Sequence, residues 1–569
     1  MGRLIAAGVR QESDIPVFLE TAEGTGLSKD EVAKTFKSGF DAGLASSSFA
    51  GVNTEDRCAV EFVARYGADT RFCDKVWFEC NPSTQIWEPD KTPSILNKIR
   101  HLCRSLNTDG TMTLGKSSTF NGVAKIVQYD PQIFTKPEQW DAHPMLLGTP
   151  AGIIRLDGSN DSSIPDRELY ISKMTSVAPA EGEPTTWNAF IEQITQGNKE
   201  LARYLQQIAG YCITGSTKVQ EFFFIHGPGG NGKGVWLNTI ANVMGDYAKQ
   251  ATMDAFMVSK HSRHTTDIAM LAGARLVAAS ETEDGRSWNE ALVKGLTGND
   301  KITARKLYQD NTTFSVTFKL IVISNYQPKL SNVSEAMRRR LNVIPFTFVP
   351  AKLDLDLEEK LEAEYPQILS WMIEGCRDWL QNGFVKPKCV LNETAEYFAE
   401  QDLTGQWICD CCEIAKDATS RGNELLESWR EYLISKGENG QLLNATIFGN
   451  KMKQYMSQYG FDKVPHTNTG VLYTGIRLKV STTAHWIKER CRFIGDVKTG
   501  ASDLYDSWKR FLIGVGESED YLTINKFEEE MKKVMPLYGI KAPYPFKDSY
   551  FNGICLKPAS EPSSLFMVQ

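Results

Sequence analysis

Eight residues, Gly227 to Gly234, read GPGGNGKG and join an apolar run, EFFFIHG, to a helix-forming run, VWLNTIANVMG. Strand, glycine loop and helix in that order make a phosphate cradle. Glycines let main-chain N–H groups close around phosphate oxygens at the start of a helix, and a lysine there adds a point charge for the β and γ phosphates. Gly227, Pro228, Gly229, Gly230, Asn231, Gly232, Lys233, Gly234 and Val235 are therefore the candidate contacts, with ATP and Mg²⁺ as the expected cofactors. The last loop position departs from the usual pattern. A serine or threonine hydroxyl normally reaches Mg²⁺ there, and this chain has Gly234. Since Mg²⁺ keeps several waters and needs few protein ligands, carboxylates and water are expected to hold it.

Further along, ARLVAASETE is a buried-strand pattern that ends in Glu281 and Glu283. A carboxylate at such a strand end can hold the Mg²⁺ shell while another polarises water, and Glu281, first off the strand, is the main candidate. The next apolar run, KLIVISNYQP, ends in Asn325, placed to sense the γ phosphate or orient water. Then EAMRRRLNVIPF sets Arg338, Arg339 and Arg340 just ahead of another strand. An arginine at that place can reach the nucleotide of a neighbouring subunit, and the sequence leaves Arg339 and Arg340 equally eligible.

These groups must be carried by a multi-part α/β chain. At 569 residues it is too long for a single core. The expected divisions are a helical module at 1–50, a mixed helical region at 51–200, the phosphate-loop core at 201–350 and a helical lid or linker at 351–418. Short elements are predicted inside them, a helix from Pro93 to Leu106 and a hairpin within MLLGTPAGIIRLDG. The 63 basic and 70 acidic residues nearly balance, so a nucleic-acid surface has to be local. Twelve scattered cysteines and a first segment without a long apolar core point to a reducing cytoplasm, with no membrane partner. Cys409, Cys411 and Cys412 lack a second pair at zinc-finger distance and read as idle thiols.

The C-terminal third repeats itself. Trp429, Leu433, Gly437, Phe448, Met452, Tyr459 and Gly460 recur 79 positions later as Trp508, Leu512, Gly516, Phe527, Met531, Tyr538 and Gly539. Both copies close on a similar strand, GIRLK and GICLK. Two winged-helix-like repeats are expected, at 419–482 and 498–560, ordered helix, turn, helix, β-rich end. Residues 421–480 hold eight basic and five acidic side chains, whereas 500–560 hold eight and nine. If one copy touches DNA it is the first, through Lys451 and Lys453.

The phosphate loop, acidic strand, Asn325 and arginine cluster, in this order, resemble superfamily 3 helicases of the satellite-phage and plasmid primase-helicase type, and more distantly the poxvirus primase-helicase. The resemblance implies an AAA+-like P-loop core. It also makes LVKGLTGNDKITARKLYQDNTTFSVTFK similar to a family motif whose hairpin lines a DNA channel, so Lys294, Lys301, Arg305 and Lys306 become candidate DNA contacts. Upstream, WDAHPMLLGTPAGIIRLDG and ELARYLQQIAGYCITGST look like the helical domain ahead of the core. LSKDEVAKTFKSGFDAG looks like the small helical piece that follows a primase, which implies that the primase is a separate protein or absent.

What the resemblance implies is an ATP-dependent hexameric ring that translocates on single-stranded or forked DNA during replication of a phage or mobile element in a bacterial host. The C-terminal repeats would then bind an origin. An alternative is an ATP-binding origin initiator, with Gly234 marking weak hydrolysis. A small-molecule kinase is disfavoured, because no acceptor-binding or lid motif stands out.

Overall fold

The computed structural model describes residues 54–558 apart from 108–112, 159–165, 259–265, 281–284, 299, 306–310, 331–332, 439–443, 468–469, 480–481, 515–521 and 536–549. The expected helical module at 1–50 lies outside the described residues. The chain divides into two compact units, Met1–Gln401 and Asp402–Gln569.

The first unit begins with three helices, Glu55–Tyr66, Ser94–Leu106 and Ser117–Gln128, closed over Cys58, Phe62, Ile99 and Val127. The Thr54 hydroxyl caps the first of them by accepting from the Arg57 N–H. A hairpin follows in which Leu146–Thr149 pairs antiparallel with Gly152–Arg155, within the predicted segment. Next come helices α1, Thr185–Ile194, and α2, Lys199–Cys212. The Asn198 side chain caps α2 by accepting from the N–H groups of Glu200 and Leu201.

The centre is a five-stranded, wholly parallel sheet, which makes the unit an α/β fold. Its strands are β1, Phe222–His226; β2, Ala248–Thr252; β3, Leu276–Ser280; β4, Lys319–Ser324; and β5, Leu341–Pro345. They lie in the order β5-β1-β4-β3-β2. A parallel sheet needs cover on both faces, which explains why its strands read as nearly unbroken apolar runs. Period-two alternation divides each strand between two cores. Phe223, Ile225, Leu276, Ala278, Ile321 and Ile344 enter one, beneath α1, α2 and helices α3, Lys233–Met244, and α4, Tyr365–Asn382. Phe222, Phe224, Val277, Ala279, Val322 and Val343 enter the other, beneath helix α5, Lys388–Gln401. Strand order reverses beside β1, so the crevice beyond the carboxyl ends of β1 and β4 is where a ligand fits.

In the second unit, the offset of 79 also relates hydrogen bonds. The Trp407 indole donates to Ser428 and the Trp429 indole to Thr404; the Trp486 indole donates to Ser507 and the Trp508 indole to Thr483. Strand pairing repeats too, Cys412 opposite Leu478 and Cys491 opposite Leu556, each followed by an irregularity at the equivalent place. The repeated unit thus starts earlier than 419. Its order in the first copy is helix Leu403–Cys411, strand Cys412–Arg421, helices Gly422–Ser435 and Ala445–Tyr459, then strands Asp462–Thr467 and Gly470–Leu478. Residues 403–418, expected in a linker, supply Trp407, Ile408 and Cys412 to that core.

Candidate active site

The chain leaves β1 at His226, turns through the glycines and enters α3 at Lys233. Two close approaches dictate the glycines. A Cβ on Gly227 would lie 2.0 Å from the Phe346 carbonyl oxygen. One on Gly232, whose φ is +85°, would lie 2.8 Å from Ile194 Cγ2 on α1. Only a residue without a side chain lets the loop pass this near to β5 and α1.

Lys233 points back into the loop. Its Nζ donates to the Gly227 carbonyl at 2.8 Å, the Pro228 carbonyl at 3.0 Å, Asn231 Oδ1 at 2.9 Å and Asn325 Oδ1 at 3.0 Å. The side chain is buried, and burial holds its proton affinity below the ordinary lysine value. The Asn231 amide also donates to the Phe346 carbonyl, tying the loop to the residue that follows β5. Lys233 and Asn325, 92 positions apart, thus meet at the switch point between β1 and β4.

A cavity of about 950 Å³ opens over this meeting point. Gly229 to Val235 form one wall, Ser280, Asn325 and Tyr326 the sheet end, and Phe190 and Ile194 of α1 with Leu353 and Leu357 an apolar side. Gly227 and Pro228 do not line it; they contribute the carbonyls that hold Lys233. A Cβ on Gly234 would meet nothing within 4 Å, so the eighth loop position has room for a side chain it does not carry. Glu281 and Glu283 lie outside the described residues; β3, which leads to them, ends at Ser280. Among the described residues no group of three or more His, Cys, Asp or Glu could hold a metal ion.

The arginines stand apart from this cavity's lining. The Arg338 guanidinium lies 5.0 Å above the Phe398 ring and 3.6 Å from Glu335. Arg340 donates to the Ala336 carbonyl of the short helix just before it, and its Nε is buried without a partner. Arg339 is exposed, with no ion-pair partner among the described residues.

Of the predicted DNA contacts, Lys301 and Arg305 are exposed on a hairpin strand, Lys301–Arg305, paired with Asn311–Ser315. Lys294 is not on that hairpin. It sits on the preceding helix, Glu290–Thr297, 3.4 Å from Glu290, because the segment from Glu290 has helical spacing and an Asn289 cap. Lys306 lies outside the described residues. Lys451 and Lys453 are on helix Ala445–Tyr459. Residue-level reading missed α1 and the segment around Leu353, since an amphipathic helix and a loop carry no signal of which cavity they border. No helix among the described residues is long and apolar enough to cross a membrane.

Residues 59–196 match the family described as D5 N terminal like, and residues 225–340 match DUF5906, a family of unknown function. The chain is similar to a helicase candidate of Acanthamoeba polyphaga mimivirus, 26% identical over 397 residues, covering 64% of this chain and 40% of the relative. A helicase candidate of Frog virus 3 is 27% identical over 261 residues, covering 42% and 27%, and one of Sputnik virophage is 23% identical over 194 residues, covering 30% and 25%. The chain therefore spans less than half the length of these relatives. Among solved structures, the apo C-terminal region of NrS-1 aligns over 74% of this chain and 99% of its own, at 10% identity and a TM-score of 0.38. With both domains matched and viral helicase candidates among its relatives, the chain is similar to the phage and viral primase-helicase family.

Proposed function

We propose that this chain is an ATP-driven DNA helicase motor of superfamily 3 type, acting as a hexameric ring in viral or mobile-element replication. The observation that carries the reading is the meeting of Lys233 Nζ and Asn325 Oδ1 at 3.0 Å, beneath a cavity large enough for a nucleotide. The four acceptors around Lys233 are uncharged, and an anionic phosphate oxygen outcompetes such partners for an ammonium. Lys233 then binds the β and γ phosphates, the N–H groups of the loop and the α3 N-terminus surround them, and Asn325 exchanges its lysine contact for the γ phosphate or its water. The apolar side formed by Phe190, Ile194, Leu353 and Leu357 suits a purine base.

Mg²⁺ fits this arrangement through Ser280 at the strand end, Glu281 and Glu283 directly after it in sequence, and the open space at Gly234 that leaves room for bound water. When bound, the ion neutralises charge on the phosphate oxygens. Of the two arginines left open by the sequence, Arg339 is favoured as the one that reaches a neighbouring subunit's nucleotide, since Arg338 and Arg340 are engaged within the chain. Exposed Lys301 and Arg305 supply phosphate-tracking charge to the DNA. The C-terminal order of helix, strand, helix, helix and two strands suits a winged helix, with Lys451 and Lys453 on the third helix reading an origin.

The test is ATP-dependent unwinding of a forked duplex by the chain beside Lys233→Ala, with hydrolysis followed in the same samples. Unwinding and hydrolysis that both vanish in the variant support a motor. Tight DNA binding by the unaltered chain with neither activity moves the reading to a nucleotide-bound initiator.

A further inference from the structure

His226 closes β1 one residue ahead of the phosphate loop, and its ring reaches three places. It stacks on Phe224 of its own strand, centroids 5.9 Å apart and planes 27° apart. Its Nδ1 lies 3.5 Å from Gln327 Nε2, and the ring faces the Asn325 main chain. From α5, Glu393 Oε1 approaches Nδ1 to 3.9 Å. The ring therefore bridges the end of β1, the loop leaving β4 and the helix beneath the sheet.

That loop carries Asn325. Its far end is fixed by α5, where Tyr397 Oη donates to the Pro328 carbonyl and the Leu330 N–H donates to Gln401 Oε1. Its near end, where Asn325 must present Oδ1 to Lys233, has Tyr326 half exposed beside it and a turn from the Tyr326 N–H to Ser324 Oγ. A ring set against the Gln327 amide and the Asn325 main chain braces the loop from outside while leaving the Asn325 side chain free to change partners.

We propose that His226 is a positioning residue for Asn325, holding the main chain so that the amide side chain faces Lys233 and the cavity. The inference rests on the nucleotide-hydrolysing reading above and names a residue within that site. The state of the ring agrees with it. Burial first, and the Lys233 charge with it, press the His226 proton affinity below the ordinary histidine value, while the Asn325 contact and Glu400 act the other way. A neutral imidazole offers one donor and one acceptor, which matches the Asn325 main chain and the Gln327 amide as partners.

The experiment compares His226→Ala, His226→Asn and His226→Gln in the full chain. Displacement of a group in a reacting constellation by about 1 Å costs up to roughly a hundredfold in rate. His226→Ala is expected to lower kcat for DNA-stimulated ATP hydrolysis by about ten- to a hundredfold with KM nearly unchanged, and one of the amide variants to restore most of it. Hydrogen exchange at the Asn325, Tyr326 and Gln327 amides is expected to quicken in the alanine variant and to recover with the same amide. Unaltered kcat and exchange in His226→Ala overturn the proposal, as does a loss that raises KM equally and that neither amide repairs. If the unaltered chain hydrolyses no ATP, the functional reading fails while the exchange comparison still decides what His226 does.

Discussion

Replacing Gly234 with serine separates two effects whose sizes follow from the geometry. Position 234 is the second residue of α3, and a Cβ there meets no atom within 4 Å, so a side chain displaces nothing. Glycine in a helix is about 1 kcal/mol less favourable than alanine, and serine lies about halfway between them. Gly234→Ser should therefore stabilise the chain by roughly 0.5 kcal/mol and Gly234→Ala by up to about 1 kcal/mol. Serine alone adds an oxygen ligand beside Lys233. If that oxygen replaces one water of Mg²⁺, a tenfold lower half-saturating Mg²⁺ concentration corresponds to about 1.4 kcal/mol. The assay is steady-state ATP hydrolysis against Mg²⁺ at fixed nucleotide for the three proteins, with melting temperatures measured alongside. The expected pattern is a melting temperature raised in both variants and a shifted Mg²⁺ curve in serine alone. Mg²⁺ curves that superimpose for all three, or that move together in serine and alanine, refute the reasoning.

Gly227→Ala should destabilise the first unit by roughly 1–3 kcal/mol and abolish nucleotide binding, because its Cβ would press on the Phe346 carbonyl; Gly229→Ala, whose nearest neighbour is 3.8 Å away, should spare the fold, and calorimetry with a fluorescent ATP analogue reads both. Burial holds Lys319 down to about 7, with Arg275 also lowering it and Cys212 and Cys376 opposing, against 10.5 for a free lysine. The unfolded chain then binds a proton that the folded chain lacks between pH 7 and 10.5, so stability relative to Lys319→Met rises across that window by up to about 1.4 kcal/mol per pH unit. A melting-temperature difference between the two that stays flat from about pH 7 to 9 contradicts this. Truncation after Gln401 should leave ATP hydrolysis intact and remove site-specific DNA binding, whereas ending the chain after Thr419 should cause aggregation by exposing Trp407 and Ile408; gel shift and light scattering distinguish the two.

Local features were legible and distant ones were not. The phosphate loop could be read because strand, glycines and lysine are contiguous, and Asn325 because an apolar run ending in a polar residue marks the carboxyl end of a buried strand. The 3.0 Å contact between them depends on β4 lying next to β1, which strand pattern alone does not reveal. Lys294 falls within the segment similar to the hairpin motif, yet helical spacing and the Asn289 cap hold it one element earlier. The repeat begins ahead of 419 in the sequence too. Thr404, Trp407 and Cys412 recur as Thr483, Trp486 and Cys491 at the same offset of 79. The spacing of Cys409, Cys411 and Cys412 reads as idle thiols rather than a zinc site, and Cys412 is the buried first residue of a strand.

The two C-terminal copies show where selection for a fold ends and selection for a task begins. Inside, they keep Trp429 with Trp508, Phe448 with Phe527 and Met452 with Met531, all buried, and both indole-to-hydroxyl bonds of each copy. A core tolerates little change in volume, so these positions are held by packing whatever the copies do. Outside, the equivalent helices part company. Lys451 of Ala445–Tyr459 corresponds to Glu530 of Ile524–Val534, and Gly449 and Asn450 correspond to Glu528 and Glu529. In the second copy those acids pair with Lys526 and Lys532 along the same helix. Such exposed pairs add little stability, so the reversal is not needed to hold the helix. It does remove the positive field that a phosphate backbone requires. Under the proposed reading, the first copy can approach DNA and the second cannot do so through this helix, which leaves the second free for a different contact.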